Sequence, residues 1–130
     1  MGYRRLFIMR KDLQMSPGKL AAQVGHCAEV YWLHIFQNGT PLTEEDRAYM
    51  NQAITKTICE AKNKNQLLKV VPRAQELGLI EGLDFGYIRD NCLTELEPED
   101  EDGRTLTGIW FRPLSDEIAH ELSRKYQLYK

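Results

Sequence analysis

The spacing of apolar and polar residues changes several times along this chain, and each change marks an element. Leu6-Phe7-Ile8-Met9 is a short unbroken apolar run between charged residues, the pattern of a strand covered on both faces. Residues 11–17 read as a loop, with Ser16 placed as an N-cap and Pro17 at the first helical position. A helix is predicted from residue 17 to about residue 37, closed by Asn38-Gly39. Leu20, Val24, Cys27, Tyr31 and Ile35 share one stripe of it. Ala21, Ala22, Gly25 and Ala28 occupy a neighbouring sector, so the pattern predicts a wide buried face. Lys19, Gln23 and His26 form a third stripe.

Thr43, followed by Glu44-Glu45-Asp46, caps a second predicted helix that runs to about residue 53. Residues 55–60 are β-branched and alternating, and read as a strand. Residues 65–77 carry helical spacing up to Gly78, with Pro72 inside predicting a kink or a boundary. Strands follow at residues 84–89 and 105–111, and Ser115 caps a last helix to about residue 125. The order β-α-α-β-α-β-β-α predicts one α/β domain over residues 1–130, a mixed four-stranded sheet with helices on both faces.

Composition narrows the function classes. With 42% hydrophobic residues in 130, a single core is expected. No apolar run approaches the roughly 18 residues of a membrane span, and residues 6–9 are too short for a signal peptide. Leu6 stands where a myristoylation motif starting at Gly2 requires Ser or Thr. The three cysteines, Cys27, Cys59 and Cys92, are odd in number and widely spaced, unlike a disulfide framework or a zinc set. The expectation is a soluble cytoplasmic protein with no membrane partner, metal or cofactor.

The formal charge of −2 hides a segregation. Residues 95–102 hold six of the 19 acids and no base, leaving 13 acids against 17 bases elsewhere. Arg4, Arg5, Arg10, Lys11 and Lys19 cluster near the start, and Lys56, Lys62, Lys64, Lys69 and Arg73 later. These bases read as ordinary solvated surface or as a phosphate-binding face. The acidic run reads as an extended, solvated loop, or as one lying on the basic face.

Lys19 lies in the first turn of the first helix, where unpaired N–H groups favour an anion. Ser16-Pro17-Gly18-Lys19 lacks the first glycine of a nucleotide-binding loop, and Leu20 replaces its magnesium-binding hydroxyl, which rejects a nucleotide triphosphatase. A lone histidine on a largely apolar helix, such as His26, is more often structural than catalytic. Asp90 at a strand end is, taken alone, a turn-capping carboxylate. Trp32 and Trp110 read as packing residues rather than base-stacking ones, and no base is indicated that would activate a cysteine.

Residues 10–28, Arg-Lys-Asp-Leu-Gln-Met-Ser-Pro-Gly-Lys-Leu-Ala-Ala-Gln-Val-Gly-His-Cys-Ala, closely resemble the opening of the class II peptidyl-tRNA hydrolases, the archaeal and eukaryotic type. That family shows Arg-x-Asp-Leu-x-Met, then Gly-Lys-x-Ala-Ala-Gln, then His-Ala. Residues 74–79 resemble the end of its middle helix, and Asp90 and Thr94 match its Asp-Ala-Gly-Arg-Thr turn. Residues 105–109 and 125–129 are similar to its last strand and its ending. Residues 37–54 match least. Here Asn91-Cys92-Leu93 stands between the Asp and the Thr, without the family's glycine and arginine.

The resemblance implies metal-independent hydrolysis of the ester joining peptide to tRNA, with peptidyl-tRNA as partner and a homodimer as the assembly. It implies a catalytic group of Lys19, Asp90, Thr94 and Thr105, with Gln23 and His26 supporting them or positioning substrate. In that reading Asp90 orients water or holds Lys19, Lys19 stabilises an oxyanion or a phosphate, and the threonines place water or substrate. The alternatives are a non-catalytic RNA- or protein-binding module on the same fold, or an esterase for another aminoacyl or peptidyl adduct.

Overall fold

The computed structural model describes residues 2–130. In chain order the elements are β1 (Tyr3–Arg10), α1 (Pro17–Asn38), α2 (Glu44–Met50), β2 (Lys56–Ala61), α3 (Lys64–Leu68), α4 (Val70–Glu76), β3 (Phe85–Asp90), β4 (Thr105–Phe111), β5 (Leu114–Ser115), α5 (Asp116–Ser123) and β6 (Gln127–Leu128). The sheet order is β3-β4-β1-β2-β6, with β5 pairing β1. β1 and β2 are parallel, linked by the crossover through α1 and α2, and the other pairings are antiparallel. The single mixed α/β sheet agrees with the expected class, but it has six strands rather than four. The two additions, β5 and β6, are two residues each, too short to leave a periodic signal.

Alternation along β1 divides the core. Leu6 and Ile8 pack with Leu67, Val70, Ala74 and Leu122 under α3, α4 and α5. Phe7 and Met9 pack with Cys27, Tyr31, Ile88 and Trp110 under α1. Helices therefore cover both faces. Gly108 lets β4 close on β1, since a Cβ there would meet Met9 Sδ at 2.5 Å and the Ile8 carbonyl at 2.9 Å.

Ser16 caps α1 by accepting from the Lys19 amide, and Gly39, at φ +64°, closes it in the left-handed conformation. Thr43 and Asp46 form a reciprocal capping box, yet α2 stops at Met50 rather than near residue 53. The expected helix over 65–77 is two helices. Pro72 cannot donate to the Leu68 carbonyl and its ring would strike it, so the chain breaks at Lys69 and Pro72 falls in the first turn of α4. The expected wide face of α1 is narrower: Ala21 and Ala22 are exposed, and nothing lies within 4 Å of a Cβ built on Gly25.

Two bases from the N-terminal cluster depart from both sequence readings. Arg5 is 0% exposed and Arg10 is 3% exposed, so neither belongs to a solvated surface or a phosphate-binding face. Trp110 is buried, and Trp32 packs edge-on against Tyr31 and stacks on Tyr49. The least-matched stretch thereby has a structural task, because α2 also brings buried Asp46 to the Tyr31 hydroxyl at 2.9 Å.

Candidate active site

β3 ends at Asp90 beside the first turns of α1, and this meeting assembles the site. Lys19 Nζ donates to Asp90 Oδ1 at 2.7 Å and to Thr94 Oγ1 at 3.0 Å. Gln23, one turn further along α1, donates from Nε2 to the same Asp90 oxygen at 3.3 Å. Asp90 Oδ2 accepts the Cys92 amide at 3.0 Å, where Cys92 adopts φ +60° and turns the chain toward Thr94. The Lys19 and Asp90 side chains are 13% and 10% exposed, so the pair is nearly dry while Thr94 lies open.

A buried ion pair persists only where its remaining polar groups are satisfied. Here Thr107 supplies that support. Its hydroxyl donates to Gln23 Oε1 at 2.7 Å, which leaves the Gln23 amide nitrogen facing Asp90. The register between β3 and β4 shifts after Ile88: Ile88 pairs Gly108 and Arg89 pairs Leu106, leaving Thr107 as the extra residue of a bulge. Bulges re-aim side chains beside functional sites. Thr107 was not among the residues singled out from the sequence, although the Thr105-Leu106-Thr107 alternation carries the signal.

Thr105 lies opposite Asp90 in the β3–β4 pairing but turns its hydroxyl to the following loop, and His26 lies further along α1. Thr105 is 0% exposed, donates to the Glu97 carbonyl at 2.7 Å and accepts the Glu99 amide at 2.9 Å. It staples the loop after Asp90 and does not touch Lys19. His26 is exposed and lines a groove between α1 and β3, away from the Lys19–Asp90 pair.

Of the two readings of the acidic loop, the one that lays it on bases is what the structure shows, because specific bases and amides hold it. Glu95 accepts the Ser16 amide at 2.9 Å and the Ser16 hydroxyl at 2.7 Å, and these bonds keep its carboxyl below the usual carboxylate range. Glu99 pairs with Arg10, which lowers its pKa in the same way, while Asp102 pairs with Arg104 and Asp100 lies 3.7 Å from Lys64. The loop thus lies against the start of α1 with one carboxylate on its cap.

Burial pushes the Cys27 thiol up to about 12, so it is inert at neutral pH. Among the described residues no group of three or more His, Cys, Asp or Glu side chains is arranged to hold a metal. A cleft of about 330 Å³ between α4 and α5, on the other face of the sheet, is lined by none of Lys19, Gln23, His26, Asp90, Thr94 and Thr105.

The model of the family described as "Peptidyl-tRNA hydrolase PTH2" matches residues 3–129. The chain belongs to that family. It is 30% identical over 126 residues to a peptidyl-tRNA hydrolase of Thermococcus onnurineus, covering 97% of both chains. It is 35% identical over 96 residues to one of Methanopyrus kandleri, covering 74% of this chain and 76% of the relative. A mouse protein named peptidyl-tRNA hydrolase 2, mitochondrial, is 30% identical over 127 residues, 98% of this chain and 64% of the mouse protein.

Proposed function

We infer that the chain hydrolyses the ester between the peptide and the terminal ribose of peptidyl-tRNA, and that Lys19, Asp90 and Thr94 carry the reaction. The observation behind this assignment is the ammonium of Lys19 fixed between Asp90 and Thr94 at the mouth of a nearly dry site. An ammonium has three protons. Two are committed, which leaves the third for the ester carbonyl oxygen as it gains negative charge. The positive end of α1 adds to the same field.

Asp90 has lone pairs beyond those taken by Lys19, Gln23 and Cys92. It takes a proton from water as the water oxygen adds to the ester carbon. Collapse of the tetrahedral intermediate breaks the bond from carbonyl carbon to ribose oxygen, and the proton held by Asp90 passes to that oxygen. Free tRNA leaves with the peptide acid, whose remaining proton is lost to solvent to give the carboxylate. Thr94 accepts from Lys19, so its own proton remains available to hold water or the ester. Gln23 and Thr107 position Asp90, and Thr105 anchors the loop that carries Thr94.

The proposal includes a homodimer working in the cytoplasm. No described helix is long and apolar enough to cross a membrane. The direct test is release of labelled N-acetyl amino acid from tRNA, with free aminoacyl-tRNA as control. Release from the blocked substrate alone is expected. Binding without release would favour the non-catalytic module, and equal release from both would favour a broader esterase.

A further inference from the structure

β3 is the terminal strand of the sheet, and among the described residues its outer edge meets no strand, only an isolated bridge from Glu81 to Phe85. The Asp84 carbonyl turns inward to the Arg112 amide, and the next carbonyl, Phe85, turns outward to accept Gly82. Successive strand peptides alternate, so the peptide groups of Tyr87 and Arg89 also point outward. Alongside this edge runs an open groove of about 320 Å³. Its α1 wall is His26, Glu29, Val30 and Leu33, and its sheet wall is Tyr87, Ile88 and Arg89. α1 runs antiparallel to β3, so the Lys19, Gln23, His26 and Leu33 stripe descends beside β3 from Asp90 toward Tyr87. Arg89, the residue before Asp90, lines the upper end of the groove, which lies next along β3 from the catalytic carboxylate.

We propose that the free edge of β3, with the groove between it and α1, binds the peptide part of the substrate as an added parallel strand. This rests on the hydrolase reading above. The ester fixes the peptide's C-terminal carbonyl near Lys19 and Asp90, so the remaining peptide trails away from that point. Laid along the edge, it runs in the same direction as β3. Tyr87 and Arg89 then exchange backbone hydrogen bonds with alternate residues of the peptide, as in a parallel ladder. From Asp90 back to Tyr87 the strand spans about 10 Å, room for three or four peptide residues. Beyond that, the Gly82 contact to Phe85 closes the edge.

Backbone pairing reads any peptide sequence, and it gives a free aminoacyl group nothing to pair. Side chains on one side of the added strand meet the apolar part of the α1 wall, Val30 and Leu33, the latter 49% exposed. The cations of the groove are partly engaged already, Arg104 by Asp102 and Arg89 over the Tyr87 ring. That favours a neutral backbone over a phosphate chain as the occupant.

The experiment compares kcat/KM for N-acetyl-aminoacyl-tRNA with di-, tri-, tetra- and hexapeptidyl-tRNA carrying the same tRNA. The expected result is a rise of about three- to tenfold per pair of residues gained, with a plateau after three or four residues. N-methylation scanned along the tetrapeptide should reduce kcat/KM at alternate positions, because a strand presents every second amide to its neighbour. Leu33→Arg should narrow the ratio between the longest and shortest substrates.

Equal kcat/KM across the series, with the acetyl substrate cleaved, overturns the peptide groove and leaves the hydrolase reading standing. Losses at every N-methyl position alike also overturn strand pairing. A β3 edge that protects its amides from exchange only on concentration-dependent self-association would show a second copy there instead, against the proposal. Failure to cleave any member of the series refutes the reaction itself, and this inference with it.

Discussion

Arg5 and Arg10 are buried on the same strand, one toward each end of β1, and they are satisfied in opposite ways. The Arg5 guanidinium donates to the carbonyls of Phe111, Ala28 and Cys27 at 2.7, 3.2 and 3.0 Å and lies over the rings of Phe7, Tyr31 and Trp32. Among the described residues no carboxylate pairs with it, and burial lowers its pKa to about 10. Arg10 is gripped by both oxygens of Asp12 and both of Glu99, with the Leu106 carbonyl as a further acceptor. Burial opposes its charge as well, but the Glu99 and Asp12 bonds outweigh burial and raise its pKa. One end of β1 is locked by neutral acceptors of the fold itself. The other, beside the site, is held by a carboxylate that a loop delivers, so its strength depends on pH and salt.

The largest consequence falls at the Arg5 end. Arg5→Met withdraws the donor from three buried carbonyls and removes the cation from an aromatic cage. Unfolding free energy in urea should drop by about 3 kcal/mol or more. A loss below about 0.5 kcal/mol would show that the carbonyls are satisfied without it.

Acid should act only at the other end. The Glu95 and Glu99 pKa values are depressed in the fold, so their contribution is present above the ordinary carboxylate range of about 4.3 and is lost as pH falls through their lowered values. Hydrogen-exchange protection factors across residues 95–104 should therefore fall as pH drops below the ordinary carboxylate range, while amides around Arg5 stay protected. Simultaneous loss at both ends would contradict two independent anchors.

A smaller effect is expected from the charge that the loop places on α1. Glu95→Gln keeps the shape and removes a carboxylate from the Ser16 cap. Affinity for deacylated tRNA should rise about two- to fivefold at low salt and converge with wild type at high salt. Leu93, 86% exposed in the turn between Asp90 and Thr94, sits where the resemblance expects an arginine. Leu93→Arg should steepen the log–log salt dependence of tRNA binding by about 0.7 to 0.9, with an unchanged slope meaning that the turn faces away from tRNA.

The sequence carried these regions unequally. Lys19 and Gln23 were legible from i, i+4 spacing at one helix start, whereas Asp90 and Thr94 were brought to them only by the family resemblance. Arg5 and Arg10 were not, because a strand buried on both faces gives a charge no alternation from which to read its burial. Pro72 announced a boundary but not its place. The task of Thr105 was hidden because it depends on the path of an irregular loop, and that of Thr107 because a bulge decides where it points. His26 lies on the predicted stripe, yet one further helical turn carries it past the catalytic pair into the groove.

The most direct test of the account is the single-turnover cleavage rate of N-acetyl-aminoacyl-tRNA by wild type, Lys19→Ala, Asp90→Asn and the double variant, each checked for an unchanged urea midpoint. Each single variant should be slower by about a hundred- to a thousandfold, and the double little slower than either, because the two groups act as one unit. Wild-type rates in both single variants would contradict the assignment of the chemistry to this pair.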